Sequence, residues 1–205
     1  MATTPSASAR EPKRQRGHLR VAAILDAGAE VFSEKGYDAA TMTEIAARSG
    51  TAIGSLYRFF PSKESLADAL LFQYAQQALD GLAELGERAT DMTLDGLAGA
   101  LVDFRLALQS QRSLAIALAD SRSGSDGKRA EFRAAMLDGI AAILRKAIPS
   151  VTEGKSQVMA VVLVHILKAV AMAAQEKPAS RSMLLAEIRD VVRLYMASAL
   201  RDSLE

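Results

Sequence analysis

The stretch that most restricts what this chain can become runs from Thr41 to Leu66, TMTEIAARSGTAIGSLYRFFPSKESL. Thr41 and Glu44 have the spacing at which a threonine hydroxyl accepts a first-turn amide while the glutamate reaches back to the threonine N–H. Met42, Ile45 and Ala46 then share one helical face, and Gly50 closes the segment. A further short helix is predicted from about Ala52 to Phe60, ending there because Pro61 disfavours helix at the residue before it. Two short helices joined by a glycine turn make a helix-turn-helix. Ala46 is small so that the next helix can cross it, and Gly50 supplies the positive φ of the turn. Ile45, Leu56 and Phe60 are expected to pack the helices together.

At about 100° per residue, the later helix places Ile53, Leu56 and Phe60 on one side with Tyr57 at its edge. Thr51, Gly54, Ser55 and Arg58 then point outward. A narrow helix face with two small residues and one forked guanidinium suits entry into a DNA major groove.

The same stretch resembles the DNA-binding signature of the tetracycline-repressor (TetR) family. In that signature a glycine turn precedes G-x-L-Y-x-x-F-x-x-K-E-x-L, matched here in order and spacing from Gly54 to Leu66. The resemblance implies that Tyr57 and Lys63 contact the phosphate backbone, as does Thr43 at the start of the earlier helix. It also implies that Thr51, Ser55 and Arg58 face the groove. The family often has lysine or another polar residue near the position of Ile53. Its absence here leaves fewer base-reading donors, so DNA shape carries more of the specificity.

Upstream, Arg10, Lys13, Arg14, Arg16 and Arg20 face only Glu11, after a Thr/Pro/Ser/Ala stretch. Residues 1–17 read as a flexible basic arm without the apolar core of a signal peptide. The arm is either a solvated tail or a DNA contact through Lys13, Arg14 and Arg16. Leu19 to Lys35 has helical apolar spacing and stops at Gly36.

The rest of the chain is predicted to be helical throughout, which makes the fold class all-α with about nine helices and no strand. Residues 18–62 form a three-helix DNA-binding domain, and residues 63–205 form a helical regulatory and dimerisation domain. Ser62 caps a long helix to Arg88. Later helices are expected over Thr93 to Gln111, Ser113 to Arg122, Asp126 to Ile148, Thr152 to Gln175 and Arg181 to Leu204.

SQVMAVVLVHILKAVAMAAQ is apolar nearly all round, which implies burial on both sides. His165 and Lys168 interrupt it, against a membrane span. The last helix carries a second apolar stripe. Either both stripes fill this chain's own core, or they meet a twin in a four-helix bundle through Val162, Ile166, Ile188, Val191, Val192 and Tyr195. The TetR resemblance points to the homodimer.

For an effector, Phe72, Met92, Leu101, Phe104, Leu108, Met136, Ile140 and His165 fall on the middle helices and suit an adaptable apolar pocket, although each also suits ordinary core packing. The chain has no cysteine and two histidines far apart, which removes thiol chemistry, disulfides and a helical metal pair. No cofactor or metal is expected, and no nucleophile–base pair or phosphate loop supports an enzyme. The expected function is a cytoplasmic transcriptional regulator, most simply a repressor. It would bind a palindromic operator in double-stranded DNA as a homodimer and be released by a small apolar or aromatic effector. The alternative is a helical scaffold or partner-binding module that does not touch DNA.

Overall fold

The structure, a computed structural model, describes residues 13–121 and 126–201. Among these residues every regular element is helical. In chain order they are α1 (Lys13–Ala39), α2 (Met42–Arg48), α3 (Ile53–Phe59), α4 (Lys63–Arg88), a 3-10 turn at Ala89–Asp91, α5 (Leu94–Ala107), α6 (Gln109–Asp120), α7 (Asp126–Ala147), α8 (Glu153–Leu167), α9 (Ala169–Ala173) and α10 (Pro178–Arg201). Counting α8 and α9 as one helix broken at Lys168, the described residues form nine α-helices.

The chain divides between Leu71 and Phe72 into two compact units. The division therefore falls inside α4, later than residue 62. The physical reason is that Leu66, Ala67 and Leu70 are buried, and Leu66 lies against Gly28 so closely that a Cβ there would meet its Cδ2 at 3.1 Å. In this first unit Ile24, Val31, Phe32, Ile45, Leu56 and Phe60 form the apolar interior. α1 begins at Lys13, so Lys13 to Gly17, read from sequence as part of an arm, are helical; residues 1–12, including Arg10, and the side chains of Lys13 and Arg14 lie outside the described residues. Gly36 has φ 79° and ψ 166°, and interrupts the helix before a last turn at Tyr37 to Ala39.

In the second unit α7 packs on α8, and α10 packs on α5, α8 and α9. Leu97, Leu101, Ile143, Leu144, Met159, Leu163 and Val192 are buried at its centre. Two helix ends differ from expectation. The break between α5 and α6 falls at Leu108, which ends one helix and begins the next. Pro178 opens α10, because a proline's missing N–H costs nothing in a first turn.

The segment Glu153–Ala173 is long and apolar enough to cross a membrane. It is also a core helix: Met159, Ala160, Leu163, Leu167, Val170 and Ala173 are buried in this unit. The expected burial on both sides does not hold within one chain. Val158 is 60% and Met172 75% exposed, and Val161 and His165 are exposed between them.

Candidate nucleic-acid interface and effector site

The helix-turn-helix is fixed by local chemistry. Glu44 N–H donates to Thr41 Oγ1 at 3.3 Å, and Thr41 N–H donates to Glu44 Oε2 at 3.2 Å, closing the capping box. Lys35 also bonds Glu44, while Arg48 grips both Glu34 carboxylate oxygens at 2.6 and 2.8 Å. These contacts hold α2 against α1 and draw both carboxyls below their usual range, Glu34 chiefly through its Arg48 hydrogen bonds and Glu44 chiefly through Lys35. Gly50 takes φ 62°, the left-handed value anticipated for the turn. Thr51 N–H then donates to the Ala46 carbonyl at 3.0 Å, which is possible because Ala46 is small and buried.

The turn sets which face of α3 is presented. Leu56 is fully buried and Phe60 is 8% exposed, so these two hold the helix down. Arg58 is exposed and Tyr57 is 47% exposed, both as expected. Arg58 joins no ion pair among the described residues, whereas Arg48 is occupied by Glu34. Gly54 is exposed and Ser55 half-buried. Thr43 is exposed in the first turn of α2. Arg16 is exposed on α1.

Two expectations for this face, Ile53 packed and Thr51 outward, are corrected, and a third residue, Lys63, has intrachain partners. Ile53 is 41% exposed and belongs to the presented surface, at the residue where α3 starts. Thr51 is 9% exposed; its backbone bond to Ala46 turns it into the bend. Lys63 is not a free cation. Its Nζ donates to the Tyr37, Asp38 and Ala40 carbonyls at 2.7, 3.0 and 3.1 Å and lies 4.6 Å from the Tyr37 ring centroid. It caps the C-terminal end of α1, where the helix dipole favours a positive charge.

The residues expected around an effector do not converge. Ile140 and Leu101 are core, Met136 packs against that core, and Leu108 is buried between helices. Phe72 is 66% exposed. His165 faces outward, with Nδ1 2.7 Å from the Val161 carbonyl of its own helix. Helical phase explains the scatter: residues of suitable type on several helices need not share a side. Phe104 and Met92 do line an open groove of about 590 Å³ in the second unit, together with Leu85, Arg88, Asp103 and Arg189. Phe104 lies on Gly81, where a Cβ would sit 2.8 Å from its ring. Arg189 pairs with Asp103 at 3.4 Å.

Sequence reasoning missed Arg105. The signal was present, since Arg105 lies one helical turn from both Leu101 and Leu108 and so must share their apolar face. It is 9% exposed.

The side chains expected at a dimer seam divide between the interior of this chain and its surface. Val192 is fully buried in its own unit, while Ile166, Ile188 and Tyr195 are partly buried against the same core. Val162 is half-buried, and Val191 is 47% exposed. The exposed apolar residues of α10 include Met183, Leu184, Val191 and Leu194, and those of α8 include Val158 and Val161.

Comparison with known proteins places residues 24–70 within the family model for bacterial regulatory proteins of the tetR family. The uncharacterised HTH-type transcriptional regulator YvdT of Bacillus subtilis is 39% identical over 69 residues, 34% of each chain. The chain thus spans about a third of the length of the curated relatives it matches. Over the whole fold, a TetR-family transcriptional regulator from Mesorhizobium loti superposes with a TM-score of 0.72 at 22% identity, covering 92% of this chain and 98% of that one. The transcriptional regulator FadR from Bacillus subtilis, solved in complex with stearoyl-CoA, gives 0.62 at 20% identity, covering 85% and 97%.

Proposed function

We propose, from the premise that this chain belongs to the tetR family of bacterial regulatory proteins, that it is a DNA-binding transcriptional regulator acting as a homodimer on a palindromic operator. One observation carries the reading. α3 is pinned from beneath by Leu56 and Phe60 and presents outward Ile53, Gly54, Tyr57 and Arg58, which joins no ion pair among the described residues. That surface combines a forked donor for a guanine edge, a phenol for a phosphate, and an apolar contact for a thymine methyl. With a single long donor on the face, groove shape supplies the rest of the specificity.

The dimer is supported by the exposed apolar stripes of α8 and α10, which nothing in the described chain covers. A two-fold pair reads two half-sites, so the operator is palindromic. We read the chain as a repressor, seated where it excludes transcription, and as cytoplasmic, where its DNA target lies. A small apolar or aromatic effector in the second unit relieves binding; FadR, similar in fold, is seen with an acyl-CoA.

The test is selection of binding sites from random duplex DNA by the full chain, followed by affinity measurements on the selected site and a scrambled one at several salt concentrations. A palindromic consensus bound on the order of a thousandfold more tightly than scrambled DNA is expected. Equal affinity for both, or no binding at low salt, would leave the chain as a helical scaffold.

A further inference from the structure

The buried face of α5 runs through Leu97, Ala98, Leu101 and Val102 and then meets Arg105. The arginine is 9% exposed. Its Nη1 donates to Gln109 Oε1 at 2.7 Å, while Nη2, shut off from solvent, has no hydrogen-bond partner. Among the described residues no carboxylate forms an ion pair with it; the groups that bear on it are the Arg112 guanidinium, of like sign, and the neutral Tyr74 phenol. Burial first, and then Arg112, hold its pKa below the ordinary guanidinium range.

Such an arrangement is unfavourable in a chain meant only to fold. A buried charge without a counter-charge is costly, and an apolar side chain of similar volume generally serves stability as well or better. An orphaned donor of this kind marks a position that some other group completes. The surroundings indicate what that group is. Tyr74 on α4 is half-buried, and its ring lies 5.5 Å from that of Phe132 on α7. Arg112, partly buried on α6, adds a second positive charge. Leu101 and Leu108, one turn either side of Arg105, share its buried apolar face. Positive donors beside aromatic and aliphatic surface match a molecule with an anionic head and an apolar body.

We propose that Arg105, supported by Arg112 and Tyr74, is the binding site for the carboxylate of an amphipathic organic acid, which is this regulator's effector. The guanidinium fork matches a carboxylate in plane and spacing, and Nη2 is the donor still available to it. The inference rests on the reading of the second unit as an effector domain.

The test uses the full chain, with straight-chain carboxylates from butanoate to hexadecanoate, the matching primary alcohols and inorganic phosphate as probes. Thermal shift identifies the chain length that fits, and calorimetry then compares that acid with its alcohol. The acid should bind at least tenfold more tightly, about 1.4 kcal/mol. Arg105→Met should melt no lower than the parent without ligand, yet lose the preference for acid over alcohol. Tyr74→Phe, which changes packing little, should weaken the acid and leave the alcohol unchanged, and keeps the question open to test if Arg105→Met folds poorly. Equal affinity for acid and alcohol, an acid preference that survives in Arg105→Met, stabilisation by phosphate alone, or no shift across the series would each overturn the proposal. If the acid binds through Arg105 but leaves DNA affinity unchanged, the site stands and the regulatory reading falls.

Discussion

Lys63 and Arg58 are basic residues five positions apart, and the family signature draws both toward DNA. Their surroundings divide them. The Lys63 ammonium is spent on three carbonyls at the end of α1, so Lys63→Met should lower thermodynamic stability by roughly 1.5–3 kcal/mol, the worth of hydrogen bonds from a charged donor. Arg58 is exposed and bonded to nothing described, so Arg58→Ala should change stability by less than about 0.5 kcal/mol while costing about 1–3 kcal/mol on the cognate site. Urea denaturation and DNA titration of both variants separate the roles. A stable Lys63→Met protein with uniformly weaker DNA binding would return Lys63 to the phosphate backbone. Type and spacing made both residues visible in the sequence. What they could not reveal was that the chain past Gly36 brings three carbonyls to one ammonium, because that depends on the path of a kinked helix end. Arg105 escaped for the opposite reason: its position on an apolar face was legible, but its lack of a partner was not.

Elements stabilised by local rules were the most legible. The Thr41–Glu44 box, the left-handed Gly50 and the stop before Pro61 all depend on neighbours within a few residues, and all stand where the sequence puts them. Breaks inside long apolar helices, at Leu108 and Lys168, have no such signal, since neither glycine nor proline marks them. The ends of α2 also carry a pH dependence. Glu34 and Glu44 are held below their ordinary carboxylate range by Arg48 and Lys35, so the unfolded chain takes up protons there more readily than the folded one. Their contribution is fully present above the unfolded carboxylate pKa and is lost as pH falls through the lower folded value. Melting temperature should therefore rise with pH across the carboxylate range. Glu34→Gln and Glu44→Gln should each flatten that rise, and moderate salt should reduce it because the pairs are exposed. Slopes identical to the parent's would show that the pairs do not steady the helix-turn-helix.

At the scale of the whole molecule, the apolar character of α8 and α10 was legible, but the division of each helix between core and exterior was not. That division depends on rotation about the helix axis, and neighbouring positions take opposite roles: Val192 is fully buried, whereas Val191 is 47% exposed. The pair makes a controlled test of the proposed dimer. Val192→Glu would place a charge in the chain's own core and should abolish cooperative folding. Val191→Glu leaves that core intact and places a carboxylate on the stripe shared with Met183, Leu184 and Leu194, so the chain should stay folded and sediment as a monomer. Losing the partner removes one of two half-sites, whose recognition helices stand about 34–36 Å apart or a multiple of it on successive turns of duplex DNA. Specific affinity should accordingly fall by on the order of a thousandfold toward the non-specific level, while binding to scrambled DNA changes little. A folded Val191→Glu protein that remains dimeric would place the seam on a surface other than α8 and α10. One that becomes monomeric yet keeps its operator affinity would separate dimerisation from DNA reading altogether.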